Sequence, residues 1–344
     1  MDALTPLILT LNEGSSSIKF ALFAADDDVP EIASGSTEAG LEAAALFDRV
    51  DTARAGRPLA AVGHRIVHGG PTLAAPLLID AAMLDQLRAA TAFAPLHDPA
   101  ALALIAAAGV RYPGVPQVAC FDTGFHAGLP EMAAVLPVPR AMRAEGIRRY
   151  GFHGLSCQSI LRQLGDDMPE KLVIAHLGNG ASVTAVRAGR SVDTSMGLTP
   201  SGGVIMGTRA GDLDPGFLLY LMRVHGMDAA AIEQLIDRQS GMRGISGVSG
   251  DVRALRGSTE PDASLALAMF CRSVAKQIAG MAVTLGGVDL LAFTGGIGEH
   301  DAGIRDRITA ELAGAGLPVG GVAVLPSREN AEIARAALDV LATR

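Results

Sequence analysis

The sequence predicts an α/β protein made of two related domains. The chain has 344 residues, about twice the usual domain length of roughly 150. A strand, Gly/Ser-turn, strand unit occurs twice, over residues 7–23 and 172–186, with Gly14 and Gly180 at the same place after the first strand. Between these units, segments with strand patterning alternate with segments of helical period, as layered α/β folds require.

The elements follow in order. An apolar run at 7–11 leads into Asn12-Glu13-Gly14-Ser15-Ser16-Ser17 and a second strand-like run at 18–23. The second copy reads as a strand over 172–177, a turn at Gly178-Asn179-Gly180, and a strand over 183–186. A third strand, 290–294, delivers the glycine turn Gly295-Gly296-Ile297-Gly298-Glu299. Phe270, Val274, Ile278, Met281 and Leu285 keep helical spacing, and Pro261 suits the first turn of that helix. Residues 81–92 and 301–313 are further helices, and another starts near Pro215.

Composition excludes several classes. Mean hydropathy is +0.33, yet the longest uninterrupted apolar run, 100–110, falls far short of the roughly 18–20 residues that span a bilayer. The N-terminus has Asp2 and no basic segment, so no signal peptide is expected and the protein is placed in the cytoplasm. A net charge of −8 argues against nucleic-acid and anionic-membrane partners. The three cysteines, Cys120, Cys157 and Cys271, are far apart and read as buried thiols.

The polar residues concentrate in loops. Glycine turns after strands let backbone N–H groups approach phosphate oxygens, and three in one chain favour a nucleotide fold. No Gly-Lys pair exists, so this is not a P-loop, and no GxGxxG stands at these turns. Seven of the eight histidines sit in short stretches rich in Gly, Pro, Asn or Asp, where function is usually carried. His64 and His68 have the spacing of a zinc helix, but flanking glycines and the lack of an intervening acid disfavour zinc. Within residues 193–215, Arg209 lies among glycines, which suits an anionic ligand, while Asp212 and Asp214 either orient it or cap the helix that follows. Phosphoryl transfer needs such a cation to neutralise charge on the group in flight.

These stretches form an ordered series: LNEGSSSIKF, GHRIVHGG, APLHDP, FDTGFH, RRYGFHG, AHLGNGAS, DTSMGLTP, MGTRAGDLDPG, SGMRGISGVSGDVR and FTGGIGE, then a weaker VLPSRENAEIA. The series resembles the acetate kinase family of the sugar-kinase, actin and heat-shock-chaperone ATPase superfamily. The resemblance implies two similar actin-like ATPase (ribonuclease H-like) domains around a central cleft, spanning 1–147 with 331–344 and 148–330. It further implies a homodimer and a reversible, direct in-line transfer of the ATP γ-phosphate to acetate. That reaction yields acetyl phosphate and ADP with Mg²⁺, for which Mn²⁺ can substitute. Matched position by position, Asn12 and Glu329 correspond to the magnesium site, and Arg65, Asp122, His153 and Arg209 to the catalytic group. Val67, Leu96, Phe152 and Pro200, with Arg65, correspond to the substrate pocket. On the nucleotide side stand Lys19, His176, Leu177, Gly178, Asn179 and Gly180, then Asp251, Val252 and Arg253, and finally Gly296, Ile297, Gly298, Glu299 and His300. His97 matches a further active-site histidine.

A carboxylate is already a nucleophile, so the site needs positioning and positive charge more than a strong base. Asp122 is accordingly read as orienting an arginine or the metal site. Four departures stand out. Glu13 replaces a small residue or Cys beside Asn12 and either adds a carboxylate near the metal or points to solvent, the latter being preferred; His300 stands where Asn is usual; Leu155 to Cys157 differs from the usual Thr-Ser-His; and the chain is shorter than typical members. The alternatives are propionate or butyrate as acceptor, another phosphoryl donor, and a non-catalytic nucleotide-binding regulator of the same fold.

Overall fold

The computed structural model describes residues 5–14, 17–26, 28–38, 43–94 and 98–343. In chain order the first part carries β1 (Leu7–Glu13), β2 (Ser17–Ala24), β3 (Glu31–Glu38), α1 (Ala43–Arg54), β4 (Leu59–Ile66), β5 (Leu77–Leu78), α2 (Ala81–Ala90), α3 (Asp98–Arg111), β6 (Gln117–Phe121) and α4 (Glu131–Ala134). Next come α5 (Gly154–Leu164), β7 (Lys171–Leu177), β8 (Ala181–Arg187), β9 (Arg190–Thr194), α6 (Pro215–His225), α7 (Ala229–Gln234), α8 (Gly241–Ser246) and α9 (Val252–Arg256). The last are α10 (Pro261–Leu285), β10 (Leu290–Thr294), α11 (Gly295–His300), α12 (Ala302–Gly314), β11 (Val322–Val324) and α13 (Glu329–Ala342).

The chain forms two compact units, one of residues 1–127, 154–159 and 328–344, the other of 128–153 and 160–327. The division falls at 127/128 rather than at the expected 147/148. The reason is local: Arg149 donates to the carbonyls of Ala133 and Thr194, and Tyr150 N–H to Gly197, which ties 128–153 to the β9 region.

In the first unit the strand order is β3-β2-β1-β4-β6-β5. β1–β2–β3 are antiparallel and β1–β4–β6 parallel. Because successive side chains alternate between faces, Leu7, Leu9 and Leu11 pack with Leu46 and Phe47 of α1 and Leu104 of α3. Ile8, Ala21 and Phe23 meet Ile333, Ala334 and Ala337 of α13 on the other face. Helices on both faces explain why these strands are almost continuously apolar. Gly63 is required beneath α13, since a Cβ there would stand 2.6 Å from Ile333 Cγ2.

The second unit repeats the pattern. Its order is β11-β10-β7-β8-β9, with β7–β8–β9 antiparallel and β7–β10–β11 parallel. Read outward from β7, this is the β3-β2-β1-β4-β6 arrangement again, so the repeated hairpin marked a repeated architecture. Among the described helices, α10 is long and apolar enough to cross a membrane by length and composition. In the unit it packs on β7 and β8 with Phe270, Val274, Ile278 and Leu285 buried. The third glycine turn differs from expectation: Gly295 takes φ 76° and the chain turns at once into the short helix α11, because Glu299 accepts the Gly295 N–H at 3.0 Å.

All three cysteines are free and buried, and burial pushes the Cys120 thiol up to about 12. His64 is buried on β4 beside Gln117 at 2.7 Å, and burial lowers its imidazole from 6.5 to about 4 against the help of that bond. As pH falls from 6.5 toward 4, the unfolded chain takes a proton that the folded chain refuses, so His64 removes stability in that window. Replacement by His64→Gln is expected to shrink the loss of stability between about pH 7 and about pH 5, read from urea midpoints of variant and parent.

Candidate functional site

In the first unit the expected residues gather where β1, β4 and β6 end. Arg65, the penultimate residue of β4, pairs with Asp122, which directly follows β6, at 2.5 Å between Nη2 and Oδ2. Its Nη1 donates to the Glu13 carbonyl at 2.7 Å, while Nε is buried without a partner. Burial works against the Arg65 charge, but the carboxylates of Asp122, Glu329 and Glu13 outweigh it and hold its pKa above the ordinary value. Asp122 is fully buried, and its Oδ1 also has no partner.

Glu329, at the first turn of α13, lies beside Asn12 although 317 residues separate them. Asn12 Nδ2 donates to Glu329 Oε2 at 2.8 Å. The pairing of β1 with β2 sets Lys19 directly opposite Asn12, with its side chain exposed. Val67 follows β4 and is buried, while Leu96 and His97 lie outside the described residues.

Glu13 differs from expectation. Strand alternation turns it to the face opposite Asn12, and its Oε2 is buried without a partner instead of reaching solvent. Burial raises its pKa, with Arg65 pulling the other way.

In the second unit a separate group assembles on the β7–β8 hairpin. His153, at the start of α5, takes the left-handed conformation (φ 59°), which non-glycine residues rarely adopt. Its Nδ1 lies 2.9 Å from Ser182 Oγ, and its ring stacks on His176 with centroids 4.1 Å apart. Gly180 sits against both side chains: a Cβ there would stand 3.3 Å from His153 Nε2 and 3.4 Å from Arg209 Nη1. Arg209 Nη1 also donates to the Pro200 carbonyl at 3.1 Å. Of the two acids near it, Asp214 caps α6 and Asp212 accepts the Gly203 N–H at 2.7 Å.

Gly178 approaches Gly296, and Gly295 approaches Leu177 and His176, so the second and third glycine segments lie side by side. Asn179, Gly296 and His300 are exposed there. Leu177 and Val252 point inward, so only their backbone can face a ligand. Asp251 caps α9 by accepting from Arg253 and Ala254, and the Arg253 hydrogen bond leads the lowering of its carboxyl pKa. Phe152 and Pro200 are buried. No motif singled out Ser182. Its signal was register, since Ser182 pairs opposite His176 across the hairpin.

A sequence profile described as the Acetokinase family matches residues 33–334. An acetate kinase of Rhodopseudomonas palustris is 40% identical over 350 aligned positions, taking in 91% of this chain and 88% of that protein. A propionate kinase structure from Francisella tularensis superposes with a TM-score of 0.88 at 32% identity, covering 97% of this chain and all of that one. An acetate kinase structure from Porphyromonas gingivalis gives 0.83 at 30% identity, covering 98% and 100%.

Breaking a buried ion pair from one side strands the other charge. Asp122→Ala is therefore expected to cost about 3–5 kcal/mol of stability, measured from urea unfolding of variant and parent.

Proposed function

The chain belongs to the acetokinase family, and on that premise we propose that it is an acetate kinase, transferring the ATP γ-phosphate reversibly to acetate to give acetyl phosphate and ADP. One observation supports the carboxylate half above all: Arg65 keeps a buried, unpartnered N–H while Asp122 and the Glu13 carbonyl hold its other nitrogens. A buried guanidinium with an unused donor is an anion site, and losing its partners would be costly. In this reading Arg65 orients the carboxylate, and the buried Val67 at the exit of β4 takes its alkyl end.

Chemistry then follows from positioning. A carboxylate oxygen attacks the γ-phosphorus in line, the new P–O bond forms as the bond to the β–γ bridging oxygen breaks, and ADP leaves with that electron pair. No proton has to be removed from the nucleophile, so Asp122 serves by bracing Arg65. Arg209 and His153 neutralise charge on the transferring phosphoryl. Ser182 Oγ, 2.9 Å from Nδ1, orients the His153 ring so that Nε2 is the nitrogen that faces Gly180. The Gly178–Gly180 turn and the Gly296–His300 segment supply backbone donors to the nucleotide phosphates, with Lys19, His176 and the Asp251–Arg253 segment completing the nucleotide side.

Mg²⁺, or Mn²⁺ in its place, fits the donors present. Asn12, Glu329 and the unpartnered Asp122 Oδ1 are hard oxygen groups, and Asn12 and Glu329 would hold the ion. Among the described residues no three His, Cys, Asp or Glu side chains are grouped to hold a metal, which suits an ion that keeps waters and phosphate oxygens as its other ligands. When bound, the ion supplies charge neutralisation along the polyphosphate. The reading places the enzyme in the cytoplasm, where ATP is.

Propionate is the second reading, favoured by the fit to the propionate kinase structure. One methylene in an apolar pocket changes affinity by only about 1–3 kcal/mol. Incubation with MgATP and a series of carboxylates, trapping acyl phosphate as hydroxamate, ranks the acceptors. Failure with every acceptor would favour a nucleotide-binding regulator. Arg209→Ala is expected to lower turnover at least about 10²-fold in that assay, and near-normal turnover would remove Arg209 from the reaction.

A homodimer forms part of the proposal. Along α6, Phe217, Leu219, Tyr220, Met222 and Val224 are all exposed, with Leu221 the buried residue of the helix. So continuous an apolar surface on one helix suits a partner of the same kind. Sedimentation is expected to show a dimer, and Leu219→Glu to convert it to monomer. A monomeric parent at micromolar concentration would count against it.

A further inference from the structure

The APLHDP stretch ends in an acid to which neither the fold nor the reaction has given a task. Asp98 opens α3 and is 2% exposed. Its Oδ1 accepts the His68 N–H at 3.3 Å. The other oxygen, Oδ2, is buried with no partner. Pairing of β4 with β6 ends at Ile66 opposite Phe121, and the Ile66 carbonyl accepts the Asp122 N–H. His68 therefore leaves the sheet with a backbone donor that the ladder no longer serves, and Asp98 accepts it.

The rest of that loop has little slack. His68 Nδ1 accepts the Gly70 N–H at 2.8 Å, and its ring stacks on Phe93 at 5.0 Å. A Cβ on Gly69 would come within 1.9 Å of the Leu73 carbonyl oxygen. Three residues before the anchored His68 stands Arg65, and directly before it Val67.

We infer that Asp98 is a positioning residue for the carboxylate acceptor: by holding the His68 amide it fixes the exit of β4, and with it the aim of the Arg65 guanidinium and of the Val67 side chain. This rests on the reading that Arg65 and Val67 receive the acceptor. A simpler N-terminal cap would explain a carboxylate bonded to its own helix, but Asp98 bonds across to the strand exit. An apolar residue there would leave a buried donor unmatched.

The cost of this arrangement is a carboxyl in apolar surroundings with one bare oxygen. Burial pushes it up to about 7, opposed by the His68 and Val67 amides and by the Arg65 charge. Arg65 on β4 is the charged group acting on it, and His68 on the following loop is the other titratable group beside it among the described residues. A carboxyl raised in the folded state stabilises fully below its unfolded value and loses that contribution as pH rises through the folded one.

Two variants and two readouts test this. Asp98→Ala is expected to raise KM for the carboxylate about tenfold, with KM for ATP and kcat held within about twofold. Asp98→Asn keeps an acceptor for the His68 amide and cannot ionise. It is expected to restore the carboxylate KM to within about twofold of the parent. Independently of activity, the urea midpoint of the parent relative to Asp98→Asn is expected to fall as pH rises from about 5 to about 8. An unchanged carboxylate KM in Asp98→Ala, an equal rise for both substrates, or failure of asparagine to rescue would overturn the inference. If the alanine variant does not fold, the asparagine variant decides: a near-parental KM with the pH-dependent stability difference supports the role, and a raised KM or no difference refutes it. Should the parent make no acyl phosphate from any carboxylate, the functional reading fails first, while the stability comparison still reports whether Asp98 is the buried acid described.

Discussion

The Arg65–Asp122 pair is the constraint on which the first unit's site depends. Each partner stands at the end of a parallel strand, where open α/β sheets commonly receive ligands. Asp122 is held three ways: its side chain by Arg65, its N–H by the Ile66 carbonyl, and its carbonyl by the Gly154 N–H at 2.8 Å. Gly154 must remain glycine for that approach, since a Cβ would lie 2.3 Å from the Asp122 oxygen. With Asp122 immobilised, Arg65 has one geometry, and its remaining donor is aimed without a rotamer search. Preorganisation of this kind is what a reaction lacking a strong base requires.

A different device serves the second unit. There Arg209 Nη1 donates to the Pro200 carbonyl, and His153 lies against the Gly180 backbone. His153 and Arg209 converge on Gly180, where a Cβ would press on His153 Nε2 and touch Arg209 Nη1. His153 reaches this place only through a left-handed backbone conformation, the sort of local strain that persists where surrounding structure enforces it. Here the enforcing contacts are the Ser182 hydroxyl and the stacked His176 ring.

Local charge also runs against the bulk value. The chain carries a net −8, yet the groups that would meet phosphate are arginine, histidine and backbone N–H. Arg65 faces Asp122, Glu329 and Glu13 together, so its surroundings are acidic enough to welcome a divalent cation near an anionic substrate. Glu13 shows how far a neighbour in sequence can be from a neighbour in space: it adjoins Asn12 in the chain but lies on the other face of β1.

Much of this was legible in the residues themselves. The hairpin at 7–23 and its copy at 172–186 announced a repeated sheet because strand patterning and glycine turns are local signals, and α10 runs from Pro261 to Leu285 as its spacing requires. The ordered glycine, histidine and arginine motifs likewise named the chemistry, since each residue type carries it irrespective of distance. What the chain could not disclose was how those motifs meet. That Glu329 lies against Asn12 follows from α13 packing on the face of β1, a consequence of long-range apolar burial. That Leu177 and Val252 turn inward, that residues 128–153 pack with β9, and that Asp98 bonds to the exit of β4 are likewise settled by packing. Local sequence determines which groups are offered; burial and register across the sheets decide which of them stand together.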